Sequence, residues 1–387
     1  MRAALVCLAA LVTLHTVAVW FGSVRRALRA RRESARVPPP PVPLPRVSVI
    51  VPAWRERGTI ERCIDALRAV DYPDWELIVV AGGPDGTYEA ACQACRRLAH
   101  ARVIEQPPRG KNAALNLGLR ASSGAVIVVL DADSQPTPGW LQALVAPLAT
   151  GAAASTGNPI PSRWTPFTRG ERMERIDELA IRNNVVLQGS GSIALRRDAL
   201  EAVGGFPEHV PVGVDWDLSA RLAERGATLA FCPAATVVTE RPATLAEYWH
   251  NELRWRRAHL LSLAHLRKHF LGTPRVALVN LYLYALAWLM LALTICVAVT
   301  VLIGPPGLRR NVATLWVIMV AWLALRRASL AAEVAVYTRN AGWLAYLWVP
   351  PVMLFITLIV SCIASLSLRR AGIHFKGPRH STGATAL

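Results

Sequence analysis

Three long uncharged apolar runs most constrain what this chain can fold into. They cover Ala3 to Phe21, Val276 to Ile303 and Trp343 to Leu368. About 20 consecutive apolar residues are enough for a helix to cross the hydrocarbon core of a bilayer. The runs therefore predict three membrane-spanning helices, one before and two after a long region of more mixed composition.

A fourth apolar run, Val312 to Leu325, is shorter and has an arginine pair on each side. About 14 apolar residues are more typical of an interfacial or re-entrant segment than of a complete span. We therefore expect this run to dip into the membrane without crossing it. That arrangement returns the basic tail, which includes Arg369, Arg370 and Lys376, to the cytoplasm, as the positive-inside rule favours.

The basic residues near the N-terminus follow the first apolar run. They are Arg25, Arg26, Arg29, Arg31, Arg32 and Arg36. A secretory signal peptide carries its charges before the apolar run and ends at a small-residue cleavage site. This order predicts an uncleaved anchor over residues 1–24 with its N-terminus outside and the following domain in the cytoplasm.

The chain has a formal net charge of +17, much of it beside the apolar runs. Juxtamembrane clusters of this kind bind anionic lipid head groups. No RNA-binding or helix-turn-helix signature accompanies the charge, so membrane lipids and not nucleic acid are the expected partners. Cys92 and Cys95 have redox or zinc spacing, but no second pair stands near them in sequence, and we interpret them as helix residues.

A strand–helix alternation begins at Val47, after a basic and proline-rich linker over residues 25–46. Strands are predicted at 47–52, 76–82 and 101–106, and helices at 60–70, 87–100 and 111–121. This order is typical of a parallel sheet with helices on both faces. Neither a G-x-G-x-x-G nor a Walker motif follows a strand, which excludes those two phosphate cradles.

The next apolar strand, from Val126, ends at Asp131 and Asp133. The carboxyl end of a parallel strand is where such sheets bind ligands, and side chains two residues apart point the same way. Paired carboxylates suit Mg²⁺ or Mn²⁺. The residues alone leave solvated turn aspartates as an alternative, and Asp215 or Asp217 could likewise serve only as a helix cap.

Further along, residues 170–184 have helical spacing, a glycine turn leads into a strand and helix near 193–200, and another helix starts near Asp215. Thr244 to Phe270 mixes leucines and aromatic residues with arginines. That mixture is typical of a helix lying flat at a membrane surface, so we expect an interfacial region over 244–274.

Seven segments occur in an order that resembles a known family. They are "VSVIVPAWRE", "VVAGGPDGT", "GKNAALNLGL", "DADS", "GSGSIALRRDALEAVGGF", "DWDLSARLAERG" and "NELRWRRAH". Together they resemble membrane-bound family-2 glycosyltransferases, the group of cellulose, hyaluronan and poly-N-acetylglucosamine synthases and, more distantly, ceramide glucosyltransferase. The resemblance covers Val47 to His259.

The resemblance implies an α/β fold of the GT-A type, Rossmann-like with a mostly parallel sheet, over residues 47–243, and a transmembrane region over 275–387. It implies a cytoplasmic enzyme that uses a nucleoside-diphosphate sugar, usually uridine-linked (UDP), with Mg²⁺ or Mn²⁺. The acceptor would be a lipid or a polysaccharide at the membrane face. A single carboxylate base without a covalent nucleophile implies inversion at the sugar's anomeric carbon.

The resemblance also implies roles for individual residues. The expected nucleotide-sugar site consists of Pro52, Trp54, Glu56, Asp85, Lys111 and Asp131. Asp133, with Asp131, would bind the metal. Asp215 would be the general base, and Arg254 with Trp255 would close over the diphosphate and acceptor.

This chain departs from the family pattern at three places. Ala81 and Gly82 replace an aspartate pair, Val214 replaces a glutamate that often precedes the base, and Asn251 replaces a glutamine. The first change predicts recognition of the base that is either looser than, or unlike, that for uracil. The three changes also motivate a second hypothesis, an inactive transferase-like subunit that scaffolds a polysaccharide synthesis or export complex.

Overall fold

The computed structural model describes residues 2–34, 44–189, 192–208, 214–266 and 275–367. Part of the expected linker, the end of the expected interfacial region and the basic tail lie outside the described residues. Their predicted boundaries, and the division of the chain into five regions, stay predictions. Within the described residues, an α/β domain is packed against a group of long apolar helices.

Eight strands form one sheet in the described residues. They are β1 (Val47–Trp54), β2 (Trp75–Gly82), β3 (Ala101–Glu105), β4 (Val126–Val129), β5 (Ser134–Pro136), β6 (Ala154–Pro161), β7 (Ile193–Arg196) and β8 (Leu229–Thr239). Their order across the sheet is β3-β2-β1-β4-β7-β6-β8-β5.

The sheet is parallel in one half and mixed in the other. β3, β2, β1 and β4 pair in parallel, as the strand–helix alternation predicts. β7 then runs antiparallel to both β4 and β6, and β5 runs antiparallel to β8. A single crossover helix forces parallel pairing, whereas longer and irregular connections do not. The strand–helix alternation therefore does not predict the strand directions in the second half of the sheet.

Helices cover the sheet on both faces. They are α2 (Arg57–Leu67), α3 (Thr87–Cys95), α4 (Lys111–Ala121), α5 (Trp140–Ala149), α7 (Arg197–Ala202) and α8 (Val214–Glu224). Alternate β1 residues divide between two cores. Val49 and Val51 pack toward α2, α3 and α5, while Ile50 packs toward α4 and α8.

Three helix predictions were wrong in detail. The helix expected over 60–70 runs instead over Arg57–Leu67. The helix expected over 87–100 ends at Cys95, and a turn leads into β3. The helix expected over 170–184 is instead α6 (Pro166–Arg175) followed by a π-helical segment, Ile176–Ile181. Apolar spacing does not distinguish an α-helical turn from the wider π turn, which is often found at functional sites.

Five further helices pack beside the α/β domain. They are α1 (Arg2–Ser34), α9 (Leu245–Leu266), α10 (Arg275–Ile303), α11 (Pro306–Thr338) and α12 (Val349–Leu366). Of these, α1, α10, α11 and α12 are long and apolar enough to cross a membrane. α9 coincides with most of the expected interfacial stretch.

The prediction of a short re-entrant segment at 312–325 was wrong. These residues are part of the continuous 33-residue helix α11. The arginines that bracket it do not end the helix. Arg327 pairs with Glu174 of α6, and the nearby Glu333 accepts a hydrogen bond from Arg26 of α1 at 3.2 Å. Because these charged residues have partners within the protein, they can lie inside the helix. The length of the uncharged run in the sequence therefore underestimates the length of the helix.

Candidate active site

The carboxyl ends of β2, β1 and β4 meet at one edge of the sheet, with β1 in the middle. Pro52 and Trp54 lie in β1, Asp85 follows β2, and Asp131 and Asp133 follow β4. Neighbouring parallel strands whose helices leave on opposite sides create the crevice where open α/β sheets bind ligands. The fold thus brings these five predicted residues to the same edge.

Trp54 occupies the space beside Gly82. A Cβ atom added at Gly82 would lie 3.0 Å from Cζ3 of Trp54 and only 2.6 Å from the carbonyl oxygen of Gln106. A side chain at position 82 would therefore have to displace the backbone. Ala81 is fully buried in the core. This structure thus has no room for an aspartate side chain at position 82, and position 81 lies in the apolar core.

Glu56 and Asp85 organise the loops that follow β1 and β2. The Glu56 carboxylate accepts a 2.7 Å hydrogen bond from the Thr59 hydroxyl. Asp85 accepts one at 2.7 Å from the Thr87 hydroxyl and one at 3.3 Å from the Arg57 N–H. Burial alone would raise the pKa of Asp85, but these donors outweigh it and lower the pKa. Asp85 is therefore an ionised, firmly held turn residue.

Lys111 begins α4 and is surrounded by carboxylates. Its ammonium group forms an ion pair with Asp131. Burial opposes its charge, but Asp131 first, then Asp215 and Asp133, more than compensate, and the pKa of Lys111 is raised. The lysine therefore stays protonated, near three carboxylates that come from two distant parts of the sequence.

Asp131 and Asp133 both lie close to the buried thiol of Cys63. Burial raises the pKa of this thiol, and the charges of Asp133 and Asp131 raise it further. Asp133 is 7% exposed and lies 3.5 Å from the Ser134 hydroxyl. Both aspartates therefore lie near the Cys63 side chain, just after β4.

No group of three or more His, Cys, Asp or Glu that could hold a metal ion occurs among the described residues. Mg²⁺, however, is usually bound by one or two carboxylates together with water and substrate phosphates. The hard oxygen donors of Asp131 and Asp133 fit a divalent ion whose other ligands come from a diphosphate.

Asp215 and Asp217 lie in the first turn of α8 in different surroundings. The Asp215 carboxylate accepts bonds from the N–H groups of Trp216 at 3.1 Å and Gly189 at 3.5 Å. Burial raises the pKa of Asp215, although Lys111 acts against this. Asp217 is instead ion-paired with Arg221 at 2.6 Å. Asp215 thus belongs to the carboxylate cluster around Lys111, while Asp217 holds the helix.

α9 brings the predicted Arg254 and Trp255 toward the start of α8. Arg254 donates a 2.8 Å hydrogen bond to the Asn251 side chain, so this shorter amide does contact the arginine. The Trp255 ring lies edge-on to His259, which stacks on Trp216 at a centroid distance of 4.2 Å. Since Trp216 adjoins Asp215, this stack joins α9 to the helix that carries the base.

Arg241 is a site residue that the sequence pattern did not identify. It is ion-paired through two nitrogens with Glu171, and its guanidinium lies 6.0 Å from the Trp255 ring centroid. Burial opposes its charge, but Glu171, then Asp133 and Asp131, raise its pKa. An arginine just after a strand carries no distinguishing sequence signal, so only the fold reveals its proximity to the aspartates.

Comparison with known proteins agrees with this architecture. Residues 48–204 match the family model described as Glycosyl transferase family 2. Glycosyltransferase AglE of Haloferax volcanii is 32% identical over 202 residues, which cover 49% of this chain and 64% of that protein. The beta-monoglucosyldiacylglycerol synthase of Synechocystis is 28% identical over 254 residues, 59% of this chain and 52% of that protein. The chain thus spans about half to two thirds of these relatives' lengths.

A solved structure shares the fold over nearly the whole chain. It is the mannosyltransferase PcManGT from Pyrobaculum calidifontis, in complex with GDP-Man and Mn²⁺. Its TM-score is 0.59 at 22% sequence identity, with 92% of this chain and 99% of that chain covered. The α/β part of this protein therefore has a GT-A-like fold.

Proposed function

We propose that this protein is an inverting glycosyltransferase that moves a sugar from a nucleoside-diphosphate sugar to a lipid or polysaccharide acceptor at the cytoplasmic membrane face. The observation that carries the proposal is the position of Lys111 among Asp131, Asp133 and Asp215. One cation and three carboxylates at the crevice of a GT-A-like sheet provide what a diphosphate leaving group and an acceptor hydroxyl require.

In the proposed mechanism, the bond from the sugar's C1 to the diphosphate breaks while an acceptor oxygen attacks from the opposite face. Lys111 and Arg254 stabilise the negative charge that develops on the leaving diphosphate. Asp131 and Asp133 would hold a divalent ion, which supplies further stabilisation of that charge when it is bound. Trp255 covers the acceptor side.

Asp215 takes the proton of the acceptor hydroxyl as the new bond forms. A raised pKa makes a carboxylate a better proton acceptor, provided that the group is still ionised at the working pH. The N–H groups of Gly189 and Trp216 hold the carboxylate in place. With one base and no covalent nucleophile, the displacement is single and the anomeric configuration inverts.

Pro52, Trp54, Glu56 and Asp85 would border the nucleotide base. UDP is the usual donor nucleotide of the family that the chain resembles. Trp54, however, fills the space beside Gly82, which supports recognition of the base through stacking more than through a carboxylate. The lipid acceptor draws support from the glycolipid product in the name of the Synechocystis relative.

The test uses purified full-length protein in detergent with Mn²⁺ or Mg²⁺. Uridine-, guanosine- and thymidine-diphosphate sugars are supplied with and without a membrane lipid extract, and release of the nucleoside diphosphate is measured. We expect release from one donor, increased by lipid and lost with Asp133→Ala. If no donor releases its nucleoside diphosphate and circular dichroism shows that the protein is folded, the result would instead favour the inactive scaffolding subunit.

A further inference from the structure

We propose that His259 is a positioning residue that holds the candidate base at a fixed distance from the acceptor side of the site. It lies between Trp216, which directly follows Asp215, and Trp255. We call Trp216, His259 and Trp255 the aromatic row. The inference rests on the transferase function proposed above and adds to it a residue that acts through its neighbours.

The aromatic row is built from one turn of each of two helices. Trp255 and His259 are four positions apart on α9, so their side chains share one face of that helix. Trp216 is in the first turn of α8. The His259 ring is stacked on Trp216, with 4.2 Å between the centroids and 12° between the planes. Trp255 stands at 79° to His259, with 6.2 Å between the centroids. Flat ring faces therefore form the contact between α8 and α9 beside the base.

The stack is buried. Trp216 is 9% exposed and His259 is 8% exposed. Aromatic pairs stabilise a structure beyond the area that they bury, and they do so only within a narrow set of ring geometries. An aliphatic side chain at position 259 could fill the same space, but it would not fix the plane of the Trp216 ring. The stack therefore restrains the tilt and spacing of α8 relative to α9.

Polar contacts hold the first turn of α8 on its other side. The Ser219 hydroxyl donates to the Asp215 carbonyl oxygen at 2.6 Å and accepts a 3.0 Å bond from the Leu187 N–H. The Gly189 N–H contacts the Asp215 carboxylate at 3.5 Å. These bonds connect the base to residues 187–189. The aromatic row adds the connection to α9.

α9 is itself fixed to the apolar helices. The Tyr284 hydroxyl of α10 donates to the carbonyl oxygen of Arg256. The Thr357 hydroxyl of α12 donates to the Glu252 carboxylate at 3.0 Å. α9 therefore has a defined position between the apolar helices and the α/β domain, and the stack relates the position of Asp215 to it.

The rate of transfer should depend on this relation. A general base acts only within hydrogen-bond reach of the proton that it removes, and a displacement of about 1 Å can cost about 100-fold in rate. Asp215 lies on α8 and Trp255 on α9, so the distance between them depends on how the two helices meet. Loss of the ring at position 259 should therefore slow turnover while leaving donor binding at the sheet edge unchanged.

The test compares three variants of the full chain, purified in detergent. His259→Leu removes the aromatic plane but keeps an apolar side chain. His259→Phe keeps an aromatic ring. His250→Leu is the matched control, because His250 lies on the same helix at an exposed position.

The first measurement is the release of nucleoside diphosphate from UDP-glucose, guanosine-diphosphate mannose or thymidine-diphosphate glucose, with Mn²⁺ and a membrane lipid extract. We expect His259→Leu to lower kcat by about 10- to 100-fold, with the KM for the donor within about twofold of the wild-type value. His259→Phe should keep most of the rate, and His250→Leu all of it. A raised KM at an unchanged kcat, or an equal loss in His259→Phe, would overturn the proposal.

The second measurement does not depend on catalysis. Hydrogen–deuterium exchange, followed by mass spectrometry, reports the local opening of a helix. Peptides from α8 should exchange faster in His259→Leu than in the wild type, and at the wild-type rate in His259→Phe and His250→Leu. Peptides from β1 and β2 should not change. Unchanged exchange of α8 in His259→Leu would overturn the proposal, and so would faster exchange at a normal kcat.

The opposite face of the stack gives an independent check. Trp216→Leu should reproduce the loss in kcat. The double variant with His259→Leu should be no slower than the slower single variant, because both substitutions break the same contact. Losses that multiply in the double variant would show that the two residues act independently and would overturn the proposal. Should His259→Leu fail to fold, His259→Gln, which has a polar group but no ring, replaces it with the same expectations.

These outcomes distinguish the inference from the proposed function. A wild-type protein that releases no nucleoside diphosphate from any of the donors would contradict the transferase function, and with it a role of His259 in transfer. The exchange measurement would still show whether the ring holds α8. Normal transfer by the wild type, with no loss in His259→Leu, would contradict the positioning role alone.

Discussion

Asp215 and Asp217 stand two positions apart on one helix, and their surroundings give them different tasks. Asp215 faces Lys111 and the Gly189 N–H, whereas Asp217 is held by Arg221. Arg221 also donates a 3.2 Å bond to the Gly205 carbonyl oxygen, which fixes the turn that follows α7. At the scale of single residues, the environment and not the residue type distinguishes the candidate base from a structural carboxylate.

This difference predicts opposite outcomes for two matched substitutions. Asp215→Asn should lower the transfer rate by about 100- to 10,000-fold while leaving nucleotide binding and the unfolding midpoint nearly unchanged, because it removes a proton acceptor only. Asp217→Asn should keep the chemistry but destabilise the fold by about 3 kcal/mol, because Arg221 loses its ionic partner. Sugar transfer, nucleotide titration and thermal unfolding measured on both variants decide between the two. Normal turnover in Asp215→Asn would refute the assignment of the base.

The raised pKa of Asp215 predicts the acid side of the pH profile. The base acts only when ionised, so activity should fall as the pH drops through the pKa of Asp215. Since burial raises that pKa, the decline should begin at a higher pH than for an ordinary aspartate, near 3.9. The transfer rate measured against pH, with circular dichroism to follow folding, tests this. An acid limb that is unchanged in Asp215→Glu would argue against it.

At the scale of elements, one buried carboxylate joins three parts of the sheet domain. Glu76 in β2 accepts bonds from the Ser48 hydroxyl of β1 at 2.8 Å and from the Ser123 N–H and hydroxyl at 2.7 Å. Arg102 of β3 adds an ion pair at 3.1 Å. These contacts lock the strands whose opposite ends carry the candidate site.

Glu76→Gln should therefore destabilise the domain in a pH-dependent way. Burial alone would raise the pKa of Glu76, but the hydrogen bonds from Ser123, Ser48 and Arg102 lower it to about 2. A lowered pKa stabilises the folded state above the unfolded value of 4.5, and this stabilisation is lost as the pH falls toward 2. The shift corresponds to about 3 kcal/mol at neutral pH.

Urea unfolding of the wild type and Glu76→Gln at several pH values between 2.5 and 7 measures this effect, with about three acidic and two neutral points. The difference in the free energy of unfolding should be largest at neutral pH and shrink in acid. Glu105→Gln, at an exposed position of β3, is the control and should show little difference at any pH. A pH-independent difference for Glu76→Gln would contradict the linkage.

At the scale of the whole molecule, the packing of the apolar helices constrains how the chain meets the membrane. α1 and α11 run side by side in the same direction, since Ser23 lies 3.4 Å from Ser329 and Arg26 lies 3.2 Å from Glu333. α10 is joined to α11 by a short turn and so runs the opposite way. These directions are consistent with three membrane crossings.

α12 differs from them because both of its ends contact the α/β domain side. Val349, at its start, packs on Gly170 of α6. Ser367, just past its end, accepts a 2.8 Å hydrogen bond from Arg257 of α9, and Thr357 between them donates to Glu252 at 3.0 Å. Its 18 residues extend about 27 Å, slightly less than a typical hydrocarbon core of about 30 Å.

We therefore predict that α12 lies along α9 without crossing, and that the basic tail is on the same side as the α/β domain. This keeps the cytoplasmic C-terminus expected from its charges, although the segment that fails to cross is α12 and not the run at 312–325. Reporters active only outside the cell, fused after Leu387 and after Gly304, measure the topology. The Gly304 fusion should be active and the Leu387 fusion silent. Activity at Leu387 would contradict the prediction.

The sequence by itself determined the features that depend on local patterns. Uncharged runs located the apolar helices, and strand–helix alternation predicted the parallel half of the sheet, because burial on a regular element imposes a period on its residues. Asp131 and Asp133 were brought to a ligand-binding edge by the same reasoning, since the end of a buried strand has a known place in such a sheet.

Only the tertiary structure decided which distant residues meet. Long-range contacts produce no periodic pattern in the sequence. They determine the antiparallel pairing of β7, the packing of Trp54 beside Gly82 and the position of Arg241 near the aspartates. The choice between Asp215 and Asp217 depended on Lys111, which is far away in the chain. Charge compensation acts through space, so the full length of α11 became visible only once the helices were packed.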